Sequence, residues 1–266
     1  MTMRYKLLAA DMDGTLLDPD SRITENTEKA VKAMERAGGR FVISTGRPPR
    51  GVRAFIRQLG LTGPVICYNG AMIIRADTGE VLYEQGLGRE DAAQILKLGH
   101  SWDVTMCSWA GNRLYGSRMD ERFLRYHRNI PSEPRLARSD EEVLDIGITK
   151  ILFYDTPERI REIQSSLHRD SFRQVNFCTS QPFYLEFFSG LASKASALEH
   201  IGLLTGIRRE EMMAVGDGEN DLSMLQAAGL GVAMDNAPQS VKAAAGAVTG
   251  SNREDGVAQL IRKYFL

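Results

Sequence analysis

Cysteine is scarce. Cys67, Cys107 and Cys178 are the only three among 266 residues, odd in number and far apart. That excludes a disulfide framework and a CxxC metal knuckle, and it suits a reducing compartment. Histidine is equally thin: His100, His127, His168 and His200 show no ligand spacing and read as surface or partly buried groups. No segment approaches the roughly 18 consecutive apolar residues of a membrane helix. The opening MTMRYKLLAADMDG holds too short an apolar stretch for a signal-peptide core, and two acids interrupt it at once. Neither sign of charge prevails: 33 Lys and Arg stand against 34 Asp and Glu, for a formal net charge of −1. This balance argues against a general nucleic-acid binder, a polybasic membrane anchor and a disordered acidic tail. GxSxG, HExxH and GxxxxGK[ST] do not occur, which removes the serine-hydrolase, zincin and P-loop readings. The expectation is a cytoplasmic protein with neither nucleic acid nor membrane as its partner.

What is present is alternation. Short apolar runs alternate with helical patterns, the signature of an α/β fold with a parallel sheet. Strands are expected at Tyr5–Ala10, Arg40–Ser44 and Pro64–Tyr68, with helices at Glu25–Ala37 and Pro49–Leu59. Thr24 is the expected N-cap of the first helix, and Gly38-Gly39 its stop. A hairpin around Asp77-Thr78-Gly79 follows. Residues 86–183 change character: they hold both tryptophans and mixed helix and strand signals, but no chemical motif. Regular α/β returns with Tyr184–Phe188 as a strand, Ser193–Leu204 as a helix and Met212–Val215 as a strand. The layout predicts a Rossmann-like parallel-sheet core made from residues 1–85 and 184–266, with an α/β cap domain inserted at 86–183.

Four short segments carry chemistry. Asp11-Met12-Asp13-Gly14-Thr15 follows a strand directly, and ligands of open α/β sheets bind beyond the carboxyl ends of strands. Two carboxylates there suit Mg²⁺, although Asp, Gly and Thr also make ordinary turns. Ser44-Thr45-Gly46-Arg47 follows another strand, and a hydroxyl, a glycine amide and an arginine suit a phosphate oxygen. Gly216-Asp217-Gly218-Glu219-Asn220-Asp221 opens a helix. As a dinucleotide fingerprint it fails, because Asp221 stands where the third glycine belongs and the acids would repel a pyrophosphate. Lys194 begins a helix, where a cation opposes the macrodipole and so lacks a local reason. A metal and a phosphate nearby would supply one.

Taken together, DxDGT, STGR, SK and GDGEND resemble the motifs of the haloacid dehalogenase superfamily of phosphatases. Their order is similar to that of its Cof-like (type IIB) branch, in which a large α/β cap lies between the second and third motifs. Asn69-Gly70-Ala71 and the tail Ser251–Val257 resemble that branch too, while Ala195 stands where the branch usually carries glycine. The resemblance implies an Mg²⁺-dependent phosphatase with Asp11 as nucleophile, forming an aspartyl-phosphate, and Asp13 as the acid and base. It implies Mg²⁺ on Asp11, the Asp13 carbonyl and Asp217. The Met12 amide, Thr45, Gly46, Lys194 and Asn220 would bind the phosphoryl oxygens. Asp221 would orient Lys194 or a metal-bound water, and Arg47 would reach the leaving group or pair with an acid. The implied substrate is a small phosphorylated metabolite, a sugar phosphate or a phosphorylated cofactor, enclosed by the cap. A phosphomutase, a phosphometabolite-sensing protein without turnover and a phosphoacceptor signalling domain are the alternatives. Arg122, Arg125 and Arg128 are read as a solvated face. Trp109, Tyr115, Phe183 and Tyr184 are read mainly as core.

Overall fold

The computed structural model describes residues 4–128, 133–168 and 171–266. They form two compact units, Met1–Tyr83 with Ser193–Leu266, and Glu84–Ala192. The first segment of the chain gives β1 (Leu7–Ala10), α1 (Glu25–Arg36), β2 (Arg40–Ile43), α2 (Pro49–Leu59), β3 (Pro64–Cys67), β4 (Met72–Arg75) and β5 (Val81–Glu84). The inserted unit gives α3 (Arg89–Ser101), β6 (Thr105–Ala110), β7 (Arg113–Gly116), α4 (Glu121–His127), β8 (Arg135–Leu136), α5 (Asp140–Ile146), β9 (Ile148–Tyr154), α6 (Pro157–Ser166), β10 (Val175–Gln181) and β11 (Tyr184–Ser189). The last segment adds α7 (Lys194–Thr205), β12 (Met212–Gly216), α8 (Leu222–Ala227), β13 (Leu230–Ala233), α9 (Gln239–Ala244), β14 (Ala247–Val248) and α10 (Gly256–Tyr264).

The core sheet is five-stranded and parallel, in the order β14-β13-β12-β1-β2. Every residue of β1 is buried, which is why LLAA reads as a continuous apolar run rather than an alternating one. Leu7, Ala9, Val42 and Ala214 pack with Ala197, Leu198 and Ile201 of α7 and with Met224 and Leu225 of α8. Helix ends follow local chemistry. The Thr24 side chain accepts from the Thr27 N–H, and Thr27, Ala30, Val31 and Met34 form the buried stripe of α1. Pro49 opens α2, and Gly60 closes it in the left-handed conformation. A Ser193–Ser196 capping box starts α7. β3, β4 and β5 form a separate three-stranded sheet.

The inserted unit is built differently. Its six strands run in the order β10-β11-β9-β6-β7-β8, antiparallel except for the β7–β8 pair. Met106, Ile151, Phe153, Leu185 and Phe187 line the face that packs on α3, α5 and α6. Tyr184–Ser189 belongs to this sheet, between β9 and β10, and not to the parallel core as its sequence position implies. The second boundary of the inserted unit therefore falls at Ala192 rather than at 183. A strand's pattern shows that it is half-buried, not which sheet it joins. Among the described residues no helix is long and apolar enough to cross a membrane.

Candidate active site

All four motifs lie in the core unit, at one edge of its sheet. β1 and β12 are adjacent and parallel, with Ala10 opposite Val215, so Asp11 and Asp217 leave the same end side by side. β2 pairs with the other side of β1 and delivers Ser44 and Thr45. The chain beyond β1 makes wide turns: the Leu16 and Leu17 N–H groups donate to the Asp11 and Met12 carbonyls. Gly14, at φ +87°, is required there, because a Cβ would collide with the Asp217 carboxylate. α7 supplies Lys194 at its first turn.

Lys194 is only 1% exposed. Its ammonium donates to Asp11 Oδ1 at 2.5 Å and to Asp221 Oδ1 at 2.6 Å. The other oxygen of Asp221 accepts from the Asp217 and Gly218 N–H groups at 3.0 and 2.9 Å. Asp217 Oδ1 accepts from the Thr15 hydroxyl at 2.7 Å. Burial pushes the Asp11 carboxyl well above the usual carboxylate range; Lys194 opposes this, while Asp221 and Asp217 reinforce it. Burial likewise raises Asp217, with Thr15 opposing and Asp221 reinforcing. Burial disfavours the Lys194 ammonium, but Asp11 and Asp221 outweigh that and hold it above its ordinary value.

Asp11, Asp217 and Asp221 each bring a carboxylate oxygen within 4.8 Å of the others. Three such groups around one ammonium leave two negative charges unbalanced in a desolvated site. A divalent cation balances that charge, and all-oxygen donors suit a hard ion. The residues present therefore fit a metal such as Mg²⁺. The Asp13 carboxylate stands outside this cluster. Both of its oxygens accept from Arg47, at 2.9 Å from Nε and 2.5 Å from Nη2.

The remaining predicted residues border the same edge. Thr45 is buried; its hydroxyl accepts from the Arg47 N–H at 3.1 Å, which leaves its own proton free to donate. Gly46 lies under the Asn69 carboxamide, and Asn220 donates to Asn69. The Met12 side chain is fully buried, so only its backbone is available to a ligand. Glu219 is exposed.

Sequence reasoning missed the supports. Asn236 donates to the Gly14 carbonyl at 2.8 Å, and Asn252 to the Leu17 carbonyl at 2.9 Å. Asp255, in the left-handed conformation, accepts from Thr24 and Asn26. The tail Ser251–Val257 was visible as a motif, but its task of bracing the turns after β1 was not. Asn236 carried no signal at all, since an isolated asparagine in a loop reads as a turn residue.

A parallel sheet with paired acids beyond one interior strand, a buried lysine and a third acid beyond the neighbouring strand defines a class. A family model of haloacid dehalogenase-like hydrolases matches residues 8–261. The chain belongs to that family and is an enzyme of its phosphatase kind. It is 37% identical to YxeH of Bacillus subtilis (strain 168), over 98% of this chain and 99% of that protein. It is 31% identical to the 5-amino-6-(5-phospho-D-ribitylamino)uracil phosphatase YitU of the same organism, over 100% of this chain and 99% of that one. The crystal structure of TM0651 from Thermotoga maritima superposes with a TM-score of 0.88 at 30% identity, covering 97% of each chain.

Proposed function

We propose that this enzyme is an Mg²⁺-dependent phosphomonoesterase that hydrolyses a small phosphorylated metabolite through an aspartyl-phosphate. The observation that carries this reading is the buried Asp11 carboxylate, tied through one oxygen to Lys194 and flanked by Asp217 and Asp221. Asp11 attacks the phosphorus in line, which divides one hard hydrolysis into two easier displacements. Asp13 protonates the leaving alcohol and then takes a proton from the attacking water. In the free protein both Asp13 oxygens accept from Arg47, and each keeps a second lone pair for the proton it would carry. Asp11, Asp217 and the Asp13 carbonyl would hold Mg²⁺, whose positive charge would let an anionic nucleophile meet an anionic phosphate. Lys194, Thr45, Asn220 and the Met12 and Gly46 amides bind phosphoryl oxygens and stabilise their charge in the transition state. Asp221 holds Lys194 in place through its 2.6 Å bond.

A sugar phosphate or a phosphorylated cofactor is the substrate class, a choice supported by the phosphorylated compound in the name of YitU. The free thiols of Cys67, Cys107 and Cys178 support a cytoplasmic location. The test is phosphate release from a panel of sugar phosphates, nucleotides and phosphorylated cofactors, with Mg²⁺ and with EDTA. The expected result is selective release that EDTA abolishes and Mg²⁺ restores. Full activity in chelator would remove the metal, and isomer formation without free phosphate would make the enzyme a mutase.

A further inference from the structure

Tyr68, Asn69 and Gly70 form three consecutive left-handed residues, with φ of 51°, 55° and 102°. For an aromatic residue this backbone is an outlier, and such strain persists only where the surroundings over-determine it. Here the surroundings are the motifs themselves. The Tyr68 N–H donates to the Arg47 carbonyl at 3.1 Å, and the Asn69 N–H to the Thr45 carbonyl at 2.9 Å. At Gly70 a Cβ would collide with the Ser193 carbonyl, where α7 begins. The Asn69 carboxamide lies over Gly46, where a Cβ would meet its Nδ2 and Oδ1 at 3.1 Å each. Its Oδ1 accepts from Asn220 Nδ2 at 3.2 Å.

We infer that Asn69 is a positioning residue for the phosphatase reaction: its Oδ1 fixes which end of the Asn220 carboxamide faces the phosphoryl group. The inference rests on the function proposed above. The two ends of a carboxamide are nearly isosteric and electrostatically opposite. Only the NH₂ end binds an anionic oxygen. One of its protons goes to Asn69, and the other is left for the substrate. Without Asn69 the Asn220 amide is free to turn over and present lone pairs to the phosphoryl oxygens, which repels them. An aspartate at 69 would accept the same bond but add a negative charge beside an anionic substrate. The left-handed backbone and its bond to the Thr45 carbonyl fix the main chain from which the Asn69 carboxamide reaches Asn220.

Asn69→Gly is the informative variant, since glycine adopts the left-handed backbone freely and only the carboxamide is lost. With p-nitrophenyl phosphate and Mg²⁺, kcat/KM should fall about tenfold, the scale of one hydrogen bond to a charged group. In an Asn220→Ala background the same change should cost less than about twofold, because its route of action is gone. In ¹⁵N-labelled protein the side-chain amide signals of Asn220 should shift in Asn69→Gly. An equal loss in both backgrounds, or unmoved Asn220 signals, would overturn the proposal. A wild-type protein that releases no phosphate would break the phosphatase reading instead, and the amide signals would still decide the lock.

Discussion

The two units bury charge for opposite reasons. In the core unit, Asp11, Lys194 and Asp221 are buried together, and desolvation plus repulsion between carboxylates raises Asp11 and the neighbouring Asp217. That arrangement is unfavourable to the folded chain on its own and becomes useful when a cation and a phosphate arrive. In the inserted unit, Lys150 and Glu186 form a single balanced pair at 3.1 Å, with side chains 9% and 13% exposed. Burial disfavours the Lys150 ammonium, but Glu186 outweighs it and raises the group. Asp91 is likewise satisfied, accepting from the Arg173 and Gln174 N–H groups at 3.0 and 3.1 Å. The difference teaches that buried charge by itself does not mark a site. Several like charges gathered together and left unbalanced do.

Four substitutions sharpen or break this comparison. Asp11→Asn should lower turnover by at least about three orders of magnitude. Measured without metal, its thermal midpoint should equal or exceed that of the wild type, because a repelling charge has been removed. Turnover near wild type would end the comparison on the core side. Lys150→Met should behave in the opposite way. It removes the cation paired with Glu186 and should destabilise the inserted unit by about 3 kcal/mol, whereas Lys150→Met with Glu186→Leu should fall within about 1 kcal/mol of wild type. Trp102 and Trp109 both lie in that unit, so urea unfolding followed by tryptophan fluorescence reads it directly. Equal loss in the single and double variants would show that the pair is not a balanced unit.

The smallest effect belongs to Glu211, at the other end of the core sheet. Its bond from Lys6, then those from the Arg208 backbone and side chain, hold its carboxyl down from 4.5 to about 2. A depressed folded value means a contribution that is complete above pH 4.5 and is lost as pH falls toward about 2. Urea midpoints above and within that window should therefore separate less in Glu211→Gln than in the wild type. Identical pH dependence would dismiss the contribution.

The same contrast explains what the sequence disclosed. Asp11, Thr45 and Asp217 are legible because they follow strands within motifs that combine, and Lys194 because a cation at a helix start has no local structural reason. The placement of Lys194 beside two acids follows that logic directly. Asn69 was visible within a motif but carried no role, since its task depends on a carboxamide 151 residues away in the chain. β6 was invisible for a different reason. All six of its residues are buried, so TMCSWA shows no alternation. β11 does alternate, yet its pattern is equally compatible with either sheet, and the core boundary was misplaced accordingly.

The pairing of β1 with β12 also bears on how the protein is made. Thr15 and Asp217 are hydrogen-bonded across 202 residues of chain. At roughly 5–20 residues per second, β1 leaves the ribosome about 10–40 s before its partner. The six strands of the inserted unit's sheet all precede β12 in the chain, while β1 lacks its β12 neighbour during that wait. A nascent chain therefore carries Asp11 without an assembled site until translation is nearly complete. The acidic centre closes as one of the last events of synthesis, and an interrupted chain is born without the activity rather than with a defective one.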